Sequence, residues 1–348
     1  MNCFDAVVVG GGVAGSATAV ELLSAGCQVA ILSRGDETPR LETISPATVS
    51  RLNALNIEID HHFSEVVAWW GSDRESHAKY PDAAIVQRRV LGEKLRLLAL
   101  QRGTTIIEIF KVTSIQKHTD WVFQYQLSDG RPATAAATYL VDATGRTSVI
   151  GRGLGSKRHT IDQLICISAA VSKPRLLGTW TESTPDGWWN LCSHEEEGTL
   201  SYYSIGRFIR SVRDLSRQFS ETRHLRHLLP KPTIGKVTII PCGSSLLIPC
   251  SGSDWVSVGD AASTVQPLAS SGISKALRDS RRVFDALERE SLNYNRYQAS
   301  EFTWYINELT KQYSLEKRWP SSSFWNAYHN KFVSIPMKSH ILSPIPPF

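Results

Sequence analysis

An apolar run, Ala6-Val7-Val8-Val9, is broken by Gly10-Gly11-Gly12-Val13-Ala14-Gly15. A stretch of small residues with helical character, Ser16–Ser24, follows, and Gln28–Leu32 is apolar again. Strand, glycine turn, helix and strand in this order predict a parallel β-α-β unit. The segment 35–46 is polar and reads as a loop, and Ala47–Leu55 reads as a helix. Val66–Tyr80 reads as strands around Trp69-Trp70. Over Val90–Gln101, Leu91, Leu95, Leu98 and Ala99 fall on one helical face. Thr104–Gln116 and Trp121–Leu127 alternate as strands do, with a hairpin turn at Ser128-Asp129-Gly130. Tyr139–Val141 predicts a short buried strand ending at Asp142. Residues 160–250 are mostly β in pattern, with turns at Pro174, Pro185-Asp186-Gly187 and Glu197-Gly198. Trp255–Val258 is a further buried strand, ending at Gly259-Asp260. From Gly272 onward the pattern is helical, up to a proline-rich, loosely held tail at 343–348.

The glycine turn fits a dinucleotide-binding fingerprint. Gly10 permits the tight turn, Gly12 lacks the Cβ that would block a pyrophosphate, and Gly15 lets the helix approach the strand. The N–H groups of Val13 and Ala14 then face the phosphates at the helix start. One position departs from the pattern. The second strand ends at Ser33-Arg34, where an acidic residue would hold the ribose hydroxyls. A serine hydroxyl bonds a ribose more weakly, and Arg34 is placed beside the adenine or a phosphate.

Composition narrows the class. The chain has 348 residues, 42% hydrophobic and 20% charged, enough for a large soluble core. A net charge of +5 with dispersed Lys and Arg does not point to nucleic acid. The arginine-rich run 207–226 reads as a solvated helix face, or else as a docking patch for an acidic partner. The six cysteines form no CxxC pair, which fits reduced thiols in a cytoplasmic protein rather than a disulfide framework or a zinc site. Ala6–Leu23 follows Asp5, lacks a basic leader and is interrupted by glycines, so neither export nor a membrane span is expected.

Three further segments specify the cofactor. Trp255–Ala262 is a strand ending in Gly259-Asp260, and it resembles the segment of glutathione-reductase-fold flavoproteins whose aspartate bonds a ribityl hydroxyl. Pro267-Leu268-Ala269-Ser270-Ser271-Gly272-Ile273 precedes a helix whose free N–H groups can face the flavin N1–C2=O edge. Leu140–Ser148 resembles a third segment of the same family. Arg88, after Val86-Gln87, matches a residue that touches the cofactor from a helix start in flavoprotein hydroxylases; read alone, it is a surface arginine beside Arg89. The resemblance also places Val112 at the cofactor. FAD is therefore the expected cofactor, and no second fingerprint supplies a dedicated NAD(P)H domain.

The resemblance implies an α/β fold: a discontinuous, glutathione-reductase-type FAD-binding Rossmann domain (1–60, 85–160 and 250–290). A β-rich substrate domain (61–84 and 161–249) is inserted, and 291–348 form C-terminal helices and a tail. The arrangement resembles the aromatic hydroxylases and the flavin-dependent tryptophan halogenases, in which the reduced flavin activates O₂ in a site that must exclude water. The halogenase motif fails at Gly187-Trp188-Trp189-Asn190-Leu191-Cys192, and Lys79 reads as a solvated strand-end lysine rather than a catalytic one. Asp186–Trp189, Arg318-Trp319-Pro320 and Phe324-Trp325 are similar to the modifying flavoproteins of cysteine tryptophylquinone-dependent glycine and lysine oxidases. That similarity implies oxygenation of a tryptophan side chain in a precursor protein, with electrons from an external reductant or NAD(P)H. Three alternatives remain: a hydroxylase of small aromatics, a flavin-binding partner of an oxidase with little chemistry of its own, and a reductase of double bonds. No general base is identifiable. Glu42 lies in a segment that approaches the flavin in such proteins, or is structural. His61 and His62 read as surface residues. Trp188-Trp189 either line a substrate pocket or fill the sheet, and Trp304, Trp319 and Trp325 read as helix packing.

Overall fold

The computed structural model describes residues 2–35, 39–172, 174, 176–194, 196–206, 211–229, 232–287 and 291–333. In the first sheet, strand Asn2–Val9 runs parallel to Val29–Ser33 on one side and Pro132–Asp142 on the other. Thr105–Lys117 extends the sheet beyond Val29–Ser33, and Trp255–Ser257 extends it beyond Pro132–Asp142, again in parallel. Thr105–Lys117 then continues into an antiparallel meander with Trp121–Leu127 and the first half of Pro132–Asp142.

The continuous apolar runs are explained by burial on both faces. Ala6, Val8 and Ile31 pack under Ala19, Val20 and Leu22 of helix Val13–Ser24 and Ala99 of helix Arg88–Gln101. Val7, Val9, Ala30 and Leu32 face Trp121, Phe123 and Tyr125 of the meander. Successive strand residues alternate between these two layers, as the pleat requires.

The second sheet has eight strands. In spatial order they are Thr238–Pro241, Ile165–Ser172, Glu197–Ser204, Gly187–His194, Gly178–Thr184, His61–Trp69, Ser76–Gln87 and Leu41–Ile44. One face, with Ile167, Trp189, Leu191, Leu200 and Tyr202, is covered by Leu215 and Phe219 of helix Val212–Ser220 and by Leu225. At one end of the other face, Cys166, Trp188 and Tyr203 pack against Phe302, Tyr305 and Tyr313 of helix Ser291–Ser314 and against Phe324, Trp325 and Tyr328. A small third sheet joins Lys157–Thr160, Ser245–Ile248 and Ser263–Thr264.

Several expectations shift. The polar segment 35–46, in place of a loop throughout, contains the edge strand Leu41–Ile44, paired antiparallel with Ala84–Gln87. Its four residues are too short a run for alternation to stand out. Strand Tyr139–Val141 is the end of the longer Pro132–Asp142, whose start opens on proline and is dominated by alanine, both poor strand formers. The described residues of 160–250 include two helices, of which Val212–Ser220 is capped by Ser211 through the Asp214 N–H. That helix buries Leu215 and Phe219 and exposes Arg213, so a solvated face is what this part of the arginine run forms; Arg207 and Arg210 lie outside the described residues. Trp188 and Trp189 are both fully buried on opposite faces and fill the sheet. Trp319 and Trp325 stack within the helical cluster, but Trp304 is 61% exposed and takes no part in it. His61 and His62 are exposed, with His61 stacked on His194. The tail at 343–348 lies outside the described residues.

Candidate FAD site

The parallel strands end together. Val9 pairs with Leu32 and with Asp142, and Asp142 pairs with Ser257. Their carboxyl ends therefore bring four distant segments to one edge: the glycine turn, Ser33-Arg34, the Asp142–Ser148 segment and Gly259-Asp260. This is the crevice at which open α/β sheets bind ligands.

The glycine turn fits its expected form closely. Gly10 has φ +113°, and a Cβ there would lie 2.2 Å from the Ala143 carbonyl oxygen. A Cβ on Gly15 would lie 1.9 Å from the Gly10 carbonyl oxygen. Gly12 is the N-cap of helix Val13–Ser24, and the first N–H groups of that helix, with Val13 and Ala14 in its opening turn, have no acceptor within the helix. A cradle kept clear of side chains and lined by orphan N–H donors fits a pyrophosphate. Gly11 contributes a constraint the fingerprint does not name: its Cβ would meet Ser33 Oγ at 2.6 Å. Ser33 is buried beneath Gly11, where its Oγ accepts the Gly35 N–H at 3.2 Å. Arg34 is exposed at the same edge, and Val112 lies four residues beyond Glu108, the neighbour of Ser33 in the sheet.

Two more turns close the crevice. Asp142 Oδ1 accepts from the Thr144 N–H at 3.0 Å and from the Thr144 hydroxyl at 2.6 Å, and its Oδ2 accepts from the Gly151 N–H at 2.8 Å. Burial pushes its carboxyl above the usual range, and those donors offset part of that effect. Gly259 has φ +59°, and a Cβ there would lie 2.6 Å from Ala14 Cβ, so this turn presses on the start of the first helix. Asp260 stays partly open, with Arg146 Nε 3.6 Å from its carboxylate. Arg146 also donates to the Gly243 carbonyl at 2.9 Å. Arg158 clamps the turn from behind, donating to the carbonyls of Asp260 and Ala261 and to the hydroxyls of Ser148 and Ser245. Its burial lowers its pKa to about 10. Pro267–Ala269 forms a single turn, Ser270 is left-handed, and Ser271 precedes helix Gly272–Arg281, with Gly272 and Ile273 in its first turn.

Beneath Gly259 lies a buried polar network absent from the sequence reading. Lys275 Nζ donates to Asp279 at 2.6 Å and to the Gly259 carbonyl at 2.9 Å, while Asp279 accepts the Gly259 N–H at 2.9 Å. Gln298 and Tyr294 extend it to the Ser257 carbonyl. In sequence, Lys275 and Asp279 resemble an ordinary exposed i,i+4 pair. Only packing reveals that their side chains are 8% and 1% exposed.

Arg88 opens helix Arg88–Gln101 and donates to Glu42 Oε1 at 3.0 Å, while Arg40 donates to the same oxygen at 2.6 Å. Arg88 is thus part of a built cluster and not a stray surface residue; Arg89 alone is exposed, near Glu93. Burial acts to raise the Glu42 pKa, but Arg40 and then Arg88 outweigh it and hold the carboxyl at about 2. A carboxylate that ionises so readily is a poor proton acceptor near neutral pH, so Glu42 is an anchor for two arginines. Arg40 went unnoticed in the sequence because it falls in the segment read as loop. Lys79 is exposed, as expected, but it lies within strand Ser76–Gln87, paired with Glu65, rather than at a strand end.

The buried thiols do not add a metal or nucleophilic centre. Burial drives Cys192 up to about 12, and Cys166 and Cys242 also upward, which keeps them protonated at neutral pH. Among the described residues no His, Cys, Asp and Glu cluster could hold a metal ion, and no helix is long and apolar enough to cross a membrane. A cavity of about 290 Å³ adjoins the site and is lined by Arg146, Arg158, Asp162, Gln163 and Thr264.

Comparison with known proteins agrees with this geometry. The family model of the FAD binding domain matches residues 4–291. The "Putative FAD-dependent oxidoreductase LodB" of Marinomonas mediterranea is 28% identical over an alignment that covers 94% of this chain and 98% of LodB. The myxobacterial chondrochloren halogenase CndH has the same fold, with a TM-score of 0.81 at 19% identity, over 94% of this chain and 86% of that one. The peptidyl tryptophan dihydroxylase QhpG, essential for tryptophylquinone cofactor biogenesis, superposes with a TM-score of 0.77 at 19% identity, over 93% of this chain and 78% of its own. The chain belongs to the FAD binding domain family, and it is a flavin-dependent enzyme with FAD as its cofactor.

Proposed function

We propose that this enzyme oxygenates a tryptophan side chain of a partner protein during the biogenesis of a cysteine tryptophylquinone cofactor. The observation that carries this reading is the near end-to-end match to LodB together with the fold shared with QhpG, which acts on peptidyl tryptophan. The similarity of Asp186–Trp189 and the Arg318–Trp325 region to the modifying flavoproteins supports the same reading. The enzyme would act in the cytoplasm, on a precursor that has not yet formed its quinone.

In this reading FAD supplies the activation of O₂, and the chain supplies the rest. Gly10, Gly12, Val13, Ala14 and Gly15 hold the pyrophosphate on backbone N–H groups. Ser33, Arg34 and Val112 border the adenosine. Arg88, steadied with Arg40 on Glu42, adds positive charge to the phosphate side. Asp260 would accept from a ribityl hydroxyl. Pro267, Ser271, Gly272 and Ile273 would offer the start of a helix to the flavin, and the helix dipole would favour negative charge on the reduced form.

The test is the rate at which reduced holoenzyme is reoxidised by O₂. Unmodified oxidase precursor should accelerate reoxidation, and free phenols or indoles should do so weakly or not at all. Acceleration by a small aromatic alone would identify a small-molecule hydroxylase. Turnover that continues without O₂ would identify a reductase.

A further inference from the structure

The two faces of the eight-stranded sheet differ in chemistry. One is aliphatic and aromatic and is sealed by helices. On the other face, cross-strand pairing aligns Thr238, Ser168, Ser201, Asn190, Thr181, Ala68 and Ser76 in one row across seven strands. Every member is small or polar. Ser168 and Ser201 are buried and hydrogen-bonded to each other at 3.1 Å, whereas Asn190, Thr181 and Ala68 are partly open. Asn190 is the opening in a strand whose two neighbours on either side are buried. A row of small polar side chains contributes little to a core, but it suits a chamber floor.

FAD-site segments bound this row on both flanks. On one side Thr43 Oγ1 lies 3.7 Å from Cys192 Sγ, and the Leu41 N–H donates to Thr199 Oγ1 at 2.9 Å, next to the Arg40–Glu42–Arg88 cluster. On the other, Trp188 Nε1 donates to the Tyr313 hydroxyl at 3.1 Å, and that hydroxyl donates to Gln266 Oε1 at 2.9 Å, beside Pro267.

Asn190 is held in a fixed orientation. Its Nδ2 faces Thr179 Oγ1 at 3.0 Å, Thr181 Oγ1 at 3.2 Å and the Trp180 carbonyl at 3.3 Å, so the amide nitrogen is committed. Its Oδ1 accepts no hydrogen bond from the described residues. The result is an oriented acceptor, partly open, in the middle of the row.

We propose that this row is the floor of the substrate chamber and that Asn190 Oδ1 accepts the N–H of an indole ring. The assignment rests on the tryptophan reading above and deepens it by naming the residue that selects the ring. A fixed acceptor discriminates strongly against a ligand that cannot donate to it.

The probes are N-acetyltryptophanamide and its 1-methylindole analogue, titrated into oxidised holoenzyme and followed by perturbation of the flavin absorbance. The parent compound should bind about tenfold more tightly than the methylated one. In Asn190→Ala, with FAD content and melting temperature checked, the two should bind equally. Equal binding of both probes to the native enzyme, or no perturbation by either, would overturn the assignment without any variant. Discrimination that survives in Asn190→Ala would also overturn it. Discrimination by Asn190 alongside an unmodified precursor would leave the indole site standing and defeat only the protein-substrate reading.

Discussion

At the scale of single residues, Glu42 is the most exacting test of the electrostatic account. Its carboxyl is depressed from 4.5 to about 2 by Arg40 and Arg88. A depressed carboxylate contributes stability that is fully present above its unfolded pKa and is lost as pH falls through the folded one. The contribution of Glu42 should therefore be constant above about pH 5 and decline from there toward pH 2. Glu42→Gln should cost on the order of 1–3 kcal/mol at neutral pH, and the gap between variant and parent in urea melts should narrow in acid. Ser33 is the other informative residue. Because a serine replaces the usual acid, Ser33→Glu should tighten FAD binding several-fold when apo-protein is titrated with FAD. Unchanged affinity would mean that Ser33 does not limit the grip.

Legibility at this scale was uneven for a physical reason. Gly10, Gly15 and Asp260 could be read because each satisfies a local backbone rule at a fixed spacing. Arg158 could not, because its partners lie far along the chain; Arg40 and Lys275 pair with the nearby Glu42 and Asp279, but what those pairs hold, Arg88 and the Gly259 turn, is remote in sequence. Arg158, for example, reaches the carbonyls of Asp260 and Ala261 across about a hundred residues of chain.

Among elements, the contact between helix Gly272–Arg281 and the Gly259-Asp260 turn positions the site. Lys275 and Asp279 hold both the N–H and the carbonyl of Gly259. Asp279→Ala would strand a buried ammonium and release the turn. A stability loss of about 3–5 kcal/mol is expected in denaturant melts, together with weaker FAD binding. If Asp279→Ala unfolds at the parental midpoint, the network is not structural. The elements themselves were largely foreseeable: long apolar runs buried on two faces gave the parallel strands, and spacing gave helix Arg88–Gln101. Edge strand Leu41–Ile44 escaped because its partner, Ser76–Gln87, is remote and only four pairs form.

For the whole molecule, the two large sheets are joined through the C-terminal helices. Trp325 is fully buried, donates to the Thr184 carbonyl at 2.9 Å and packs against Trp70, Tyr313 and Phe324. Tyr313 in turn contacts Gln266 beside the proposed flavin-facing loop. Trp325→Ala should cost about 3–5 kcal/mol. Saturating FAD should recover part of that loss as a raised melting temperature, since a ligand that binds only the folded state stabilises it. A variant that melts like the parent would show that the helical cluster does not brace the sheet. Tryptophan-rich segments of the sequence pointed to this cluster, and exposed Trp304 shows where composition alone overreached.

In the proposed reaction the oxygen goes into a protein. Purified holoenzyme, a reductant, O₂ labelled with heavy oxygen and the unmodified oxidase precursor would be combined, and the precursor followed by mass spectrometry with peptide mapping. Labelled oxygen should be gained at a tryptophan of the precursor, and only when the flavoprotein is present. A precursor of unchanged mass, under conditions in which a free phenol or indole is turned over, would contradict it.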